Sequence, residues 1–360
     1  MRVGLVIYGS LDTVSGGTLY DRQLVDTLRR QGDTVEIIAL PWRNYGRHLS
    51  DNLAADLPAR LAGDYDVLLQ DELCHPSLAW ANGRFARRAP VVSIVHHLRC
   101  SEARPRWQNA LYRPVERRYL RSVDGFIFNS RTTQQAVEAL VGRDRPHVLA
   151  TPGGDRLAPP AADRRDWTNG PLRLLFVGNL IPRKGLHVLL AALAQVRAEW
   201  RLSVVGRSAD PAYAWRMAAR AARPPLAGRV AWCGPLSDAA LAVEMAAAHV
   251  MVVPSDYEGF GIVYLEGMAF GLPAIATTGG AAAEIVSDGV DGYLVPPGDS
   301  AALAERIATL AGDRARLAQM SAAARASFAG WPTWADSCAV IRAFCLLYTS
   351  PSPRDGLLSR

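Results

Sequence analysis

Short apolar runs, rich in β-branched residues, alternate along this chain with longer stretches in which apolar positions recur every three or four residues. The first pattern is that of buried strands and the second that of amphipathic helices. In the first half the runs are Val3–Tyr8, Val35–Leu40, Val67–Gln70, Val91–His96 and Phe126–Asn129. After the first of them, Tyr20, Leu24 and Leu28 share one face of a helix over Leu19–Arg30, and Gly32 stands where a helix ends in a left-handed residue. Strand–helix alternation of this kind predicts a parallel, doubly wound sheet.

A polar, proline-rich passage over residues 159–171 interrupts the alternation. The pattern restarts at Leu172–Val177 and continues through Leu202–Val205, Arg229–Cys233, Val250–Val253 and Ala274–Thr277. The expected fold class is therefore α/β, with two Rossmann-like doubly wound parallel-sheet domains facing across a cleft. The first domain takes residues 1–158, the linker 159–171 and the second domain 172–330, and a closing helix spans 331–344. Residues 345–360 lose the helical period and read as a non-native, poorly packed tail.

Composition agrees with this division. The 360 residues exceed what one core usually holds, since single cores stop growing at about 250–300 residues. With 49% hydrophobic and 21% charged residues the chain has ample core and is not disordered. Cys74, Cys100, Cys233, Cys338 and Cys345 are scattered, with no Cys-x-x-Cys pair. They read as reduced thiols of a cytoplasmic protein. Met1–Gly9 reads as a strand rather than a signal peptide. No stretch approaches the roughly 20 apolar residues that cross a bilayer, so membrane contact is expected to be peripheral only. A net charge of +6 asks for an anionic partner, whether phosphate, anionic lipid or nucleic acid. No aromatic RNA-binding strand, zinc finger or basic helix-turn-helix pattern accompanies it, which sets nucleic acid aside.

Three segments carry candidate chemistry. Gly16 and Gly17 lie between the first strand and the first helix, where bare backbone can approach a phosphate, although many such turns carry glycine for conformation alone. Phe176–Gly185 ends a strand in glycine and offers Arg183 and Lys184 just before a helix, two cations at a strand's carboxyl end that suit a pyrophosphate. Pro254–Gly271 carries Glu258 before the turn Gly259, Phe260, Gly261 and then Glu266 further on. A continuous helix would displace the two carboxylates by roughly 12 Å along its axis. That suits two parts of one extended ligand better than attack on one bond, for which glycosidase carboxylates stand about 5–9.5 Å apart.

The run Pro254, Ser255, Glu258, Gly259, Phe260, Gly261, Glu266, Ala269, Gly271, Pro273, Gly279, Gly280, Glu284 and Gly292 resembles the donor-site signature of the retaining glycosyltransferases of family 4, which have the GT-B fold. The resemblance covers residues 1 to about 344 and is densest in the second half. It implies metal-free transfer, with retention, from a nucleoside-diphosphate sugar such as a UDP- or GDP-sugar. No separate cofactor is implied, and the acceptor would be a glycan or lipid-linked molecule in polysaccharide or glycolipid synthesis.

On that resemblance Glu266 meets the ribose, and Glu258 holds the transferred sugar. The backbone of Gly259, Phe260, Gly261 and Ile262 lines sugar and phosphate. Lys184, helped by Arg183, neutralises the leaving diphosphate, and Gly16 and Gly17 contribute on the phosphate side. The family often has arginine after the strand-ending glycine where this chain has Asn179, so one phosphate cation is missing or supplied by Arg183. His96, rather than its neighbour His97, matches the family's strand-end histidine near the reacting sugars, a group suited to donating to a hydroxyl or moving a proton.

Residues 104–121 interleave six arginines with Trp107, Leu111, Tyr112, Val115, Tyr119 and Leu120 and place Pro114 as an interruption of the helix. This stretch fits either the anionic inner face of the plasma membrane or packing on the sheet. Two other readings of the whole chain stand beside transfer: a nucleotide-sugar epimerase of the same fold, and a two-lobed ligand-binding protein.

Overall fold

The apolar runs become the strands of two sheets, each of six parallel strands. A computed structural model describes residues 1–13, 15–84, 88–102, 104–161 and 165–349. In the first sheet β1 is Arg2–Tyr8, β2 Thr34–Leu40, β3 Val67–Asp71, β4 Val91–Val95, β5 Gly125–Phe128 and β6 His147–Leu149, in the order β2-β1-β3-β4-β5-β6. In the second, β7 is Leu172–Val177, β8 Trp200–Val205, β9 Val230–Gly234, β10 Val250–Val252, β11 Ala274–Thr277 and β12 Gly292–Val295, in the order β12-β11-β10-β7-β8-β9.

Central strands are apolar on both faces because helices cover both. Val3 of β1 sits opposite Val35 and Val67, and Val3, Leu5, Val6 and Ile7 are all buried. Each such side chain contributes about 1.5–3 kcal/mol on burial. The edge strands β6 and β12 lacked a signal in the sequence. β6 is three residues long and only partly buried, and β12 opens on Gly292, where a Cβ would lie 2.3 Å from the Ala274 carbonyl oxygen.

The chain divides into Met1–Pro152 with Trp334–Arg360 as one unit, and Gly153–Thr333 as the other. The first boundary therefore falls at 152/153 rather than after 158. The expected linker is also held in place, because part of it packs on the second unit. Arg165 donates to the carbonyls of Ala248 and Phe270 at 3.0 and 2.6 Å, and Trp167 lies between Arg165 and His249. Residues 162–164 of that passage lie outside the described residues.

The closing helix runs Trp334–Thr349, past the expected end at 344, and packs on the first unit. Trp334 meets Tyr20 edge-on at 5.7 Å, and Arg342 Nε donates to Asp33 at 2.6 Å. Ile341, Phe344, Cys345 and the half-buried Tyr348 keep the i, i+3, i+4, i+7 spacing of one inward stripe, and Cys345 is only 2% exposed. The beginning of the supposed tail is thus packed helix. Residues 350–360 lie outside the described residues.

Two further local readings change. The first helix spans Gly16–Arg30, with the Ser15 side chain accepting from the Thr18 amide, so Gly16 and Gly17 form its first turn instead of a loop before it. The helix Arg106–Leu120 continues through Pro114, since buried Glu116, Tyr119 and Leu120 anchor its second half. Among the described residues no helix is long and apolar enough to cross a membrane.

In each sheet the strand order reverses direction once, between β1 and β3 in the first and between β7 and β10 in the second. Crevices at the carboxyl ends of strands flanking such a point are where open α/β sheets bind ligands.

Candidate active site

In the second unit β7 ends at Val177, and the chain passes through Gly178 into a tight turn, Pro182–Lys184, before the helix Leu186–Leu193. Gly185 joins turn to helix at φ +72°, and a Cβ there would lie 1.9 Å from the Pro254 carbonyl oxygen. Only glycine lets the cationic turn close against the segment leaving β10. That segment carries Ser255 and Glu258. The Glu258 backbone is pinned to the glycine pair after β11: its amide donates to Gly279 O at 3.1 Å, and its carbonyl accepts from Ala281 at 2.9 Å. Gly280 has φ +85°, and a Cβ would sit 2.1 Å from Glu258 O, so this pair is glycine for room as well as for backbone.

The side chains converge there. Lys184 Nζ and Ser255 Oγ both donate to Glu258 Oε1 at 2.5 Å, and Arg183 Nη1 lies 3.9 Å from Oε2 while donating to Tyr257 O at 2.6 Å. Burial pushes the Glu258 carboxyl up, but the Lys184 and Arg183 charges outweigh it and hold the group below its ordinary value. Glu258 is therefore an ionised, buried carboxylate under a cation. Lys184 is the sole lysine among the 40 Lys and Arg residues of the sequence, so an arginine-rich chain keeps one compact ammonium and places it here.

Helix Ile262–Ala269 follows Gly261, which has φ +103°. The stretch from Glu258 is thus not helical throughout, and a continuous-helix rise does not apply to it. Phe260 is buried edge-on against Trp331 at 5.8 Å and packs as core. Glu266, 3% exposed, belongs to a different ion pair: Arg156 Nε donates to its Oε1 at 2.6 Å, and Arg156 also pairs with Asp238. Burial raises the Glu266 carboxyl above its ordinary value even though Arg156 opposes this. Sequence reasoning missed Arg156, which stands 110 residues from Glu266 in a segment assigned to the first domain, with no motif around it.

In the first unit His96 follows β4. Its Nε2 is 3.3 Å from Asp21 Oδ1 and 4.0 Å from Asp71 Oδ1. Gly17 faces the ring, since a Cβ there would be 3.1 Å from His96 Cδ2, whereas Gly16 is exposed. The glycine pair therefore separates into one residue that makes room for His96 and one at the surface. His97 turns to another carboxylate, Glu102, at 2.9 Å.

A second buried cluster adjoins these residues. His75 Nδ1 contacts the Glu72 carbonyl at 3.0 Å, its Nε2 meets the Tyr45 hydroxyl at 3.1 Å, and Glu116 accepts the amides of Arg99 and Cys100 at 2.5 and 3.1 Å. Burial pushes His75 down to about 4 and Glu72 up to about 7. Donor atoms of Glu72, His75 and Glu116, like those of Asp21, Asp71 and His96, lie within 4.8 Å of one another, close enough for a cation or for shared protons.

Helix Arg106–Leu120 walls a groove of about 1310 Å³, lined by Arg106, Arg113, Arg117, Arg118 and Arg121 with Ala110 and Pro114 among the apolar residues. Tyr119 and Leu120 pack inward, whereas Trp107 and Leu111 are each 64% exposed. Packing thus takes the C-terminal end of this helix, and Trp107 and Leu111 stand at the surface.

Comparison with known proteins covers both units. The family described as glycosyl transferases group 1 matches residues 171–313, and that described as glycosyltransferase family 4 matches residues 14–152. A phosphatidyl-myo-inositol mannosyltransferase of Mycobacterium leprae is 28% identical over 338 residues, which cover 86% of this chain and 87% of that protein. Among solved structures, sucrose-phosphate synthase from Thermosynechococcus elongatus superposes with a TM-score of 0.84 at 23% identity, covering 97% of this chain and 100% of that one. Anabaena HepE in complex with UDP-glucose gives 0.78 at 21% identity, covering 98% and 100%.

Proposed function

This chain belongs to the group 1 glycosyltransferases, glycosyltransferase family 4, with the GT-B fold, and from that premise we propose that it moves a sugar, with retention and without a metal, from a nucleoside-diphosphate sugar to a glycan or lipid-linked acceptor. The observation that carries the reading is the Lys184–Glu258 pair, backed by Arg183, at the carboxyl ends of β7 and β10 where the second sheet reverses. A preorganised cation at that point stabilises the charge that develops on a leaving diphosphate. Glu258 would hold the transferred sugar's hydroxyls, Glu266 the ribose, and the amides from Gly259 to Ile262 the sugar and phosphate. His96, in the first unit, would donate to a hydroxyl of the reacting sugars. Retention follows if the leaving phosphate takes the acceptor's proton on the face it departs from. The UDP-glucose in the HepE complex supports a UDP-sugar as the first donor to try.

The test is incubation with UDP-, GDP- and ADP-sugars, with and without a polyol or glycolipid acceptor, in EDTA. Free nucleoside diphosphate that depends on acceptor, with a product keeping the donor's anomeric configuration, is the expected result. An isomerised nucleotide sugar formed without acceptor would establish the epimerase instead, and inversion would remove the retaining mechanism.

The exposed arginines, Trp107 and Leu111 fit a peripheral contact with the anionic inner face of the plasma membrane. Among the described residues no carboxylate pairs with Arg106, Arg113, Arg117, Arg118 or Arg121. Charges beyond about 8 Å are screened at physiological ionic strength, so this contact weakens with salt. The protein should sediment with phosphatidylglycerol vesicles and lose most of that binding in Arg113→Glu/Arg117→Glu. Equal recovery with phosphatidylcholine vesicles would reject the contact.

A further inference from the structure

His96 is enclosed by acids. Asp21 and the edge of the Tyr20 ring, 5.3 Å away, reach it from helix Gly16–Arg30, and Asp71 and Glu72 reach it from the end of β3. Its own carbonyl is fixed by Asn129 Nδ2 at 2.9 Å and Thr133 Oγ1 at 3.3 Å, both neutral. Both carboxylate contacts fall on Nε2, the edge of the ring that Gly17 also faces, and Nδ1 has no hydrogen-bond partner among the described residues. Asp71 is itself tied down, because its Oδ1 accepts the Leu73 amide at 2.9 Å.

We propose that Asp21 and Asp71 are positioning residues that hold His96 as an imidazolium at neutral pH, committing Nε2 to the carboxylates and leaving Nδ1 as the donor to a substrate hydroxyl. The inference rests on the reading above that His96 meets the reacting sugars. Two acids serve this better than one. A neutral imidazole has one N–H, and a carboxylate on Nε2 would draw it there and leave Nδ1 a bare acceptor, whereas a cationic ring donates from both nitrogens. The second acid also offsets the cost of burying the cation.

The electrostatics agree with the geometry. Burial alone would lower His96, but Asp21, by charge and hydrogen bond, and then Asp71 and Glu72 outweigh it and raise the group to about 9. Burial and the Asp21 charge push Asp71 up in turn. Because the folded value of His96 lies above its ordinary one, the charged ring and the stability it contributes are complete below that ordinary value and are lost as pH rises through about 9.

The test is histidine ¹⁵N NMR of the full chain across pH, with His96→Gln to assign the signal, beside the pH profile of kcat/KM. A carboxylate within about 4–6 Å moves a neighbouring pKa by about 1–3 units. Asp21→Asn should therefore lower the His96 midpoint by at least about one unit, a tenfold loss of proton affinity. The basic limb of the rate profile should move down with it, and Asp21→Glu should restore part of both. Asp71→Asn gives a second, independent reading should Asp21→Asn fold poorly. A His96 midpoint that stays in place in both Asn variants overturns the proposal. A midpoint that moves while the rate profile does not would uphold the charge network and reject the assignment of His96 to the substrate.

Discussion

Lys184→Met is expected to lower turnover by about 100- to 1000-fold, the loss seen when one preorganised electrostatic group is removed from a developing charge. It should also destabilise the fold. Glu258 is 7% exposed, and without Lys184 Nζ at 2.5 Å its carboxylate keeps only the Ser255 hydroxyl and a guanidinium at 3.9 Å. Removing one partner of a buried pair costs about 3–5 kcal/mol, and the partial exposure of Lys184 argues for the low end of that range. The two effects separate in Lys184→Met/Glu258→Gln, which should regain most of the stability and none of the turnover. Lys184→Arg should not rescue turnover either, because the lysine stem passes 3.5–3.6 Å from where a Cβ on Gly178 would be, a path that suits a thin chain ending in a point charge. Urea denaturation and steady-state kinetics of the three variants are the measurements. Turnover restored in the double variant would mean that the lysine serves Glu258 and not the diphosphate.

Glu266→Gln is expected to weaken donor and free nucleoside diphosphate alike, by about 10- to 100-fold, which is what loss of a charge-assisted hydrogen bond of about 1.5–3 kcal/mol amounts to. Turnover at saturating donor should be largely kept, because the ribose is unchanged between ground and transition state. Arg156→Met should act through the same carboxylate. Glu266 is already raised by burial, and losing Arg156 raises it further, so donor affinity in that variant should fall as pH drops, whereas the parent should hold its affinity to lower pH. Calorimetry with the nucleoside diphosphate across pH reads both effects. Loss of turnover with diphosphate affinity intact in Glu266→Gln would place that residue on the transferred sugar instead.

Lys184 and Glu266 stood out as candidates in the sequence because each sits inside a short motif. Gly185 and the Gly259–Gly261 turn mark where backbone must bend or approach closely, and such demands act over a few residues. The strands were legible for the same reason: an apolar run of five or six residues is long enough to mark burial on both faces. β6 and β12 escaped because an edge strand needs neither length nor a continuous apolar run. The passage 159–171 had a linker's composition, yet Arg165 and Trp167 bind it to the second unit through partners more than 80 residues away.

What the sequence by itself determined was thus the local layer: which segments are strands and helices, that there are two α/β halves, and which glycines, cations and carboxylates stand at strand ends. Which charge answers which was decided by tertiary structure alone. Lys184 and Glu258 are 74 residues apart, Arg156 and Glu266 110, and Asp21 and His96 75. The physical reason lies in the order of the strands. Propensity and periodicity are carried by neighbours along the chain, but an ion pair forms between whichever strand ends, helices and loops the packed sheet brings together. That order, with β10 beside β7 and β3 beside β1, is a property of the packed sheet and not of any one segment.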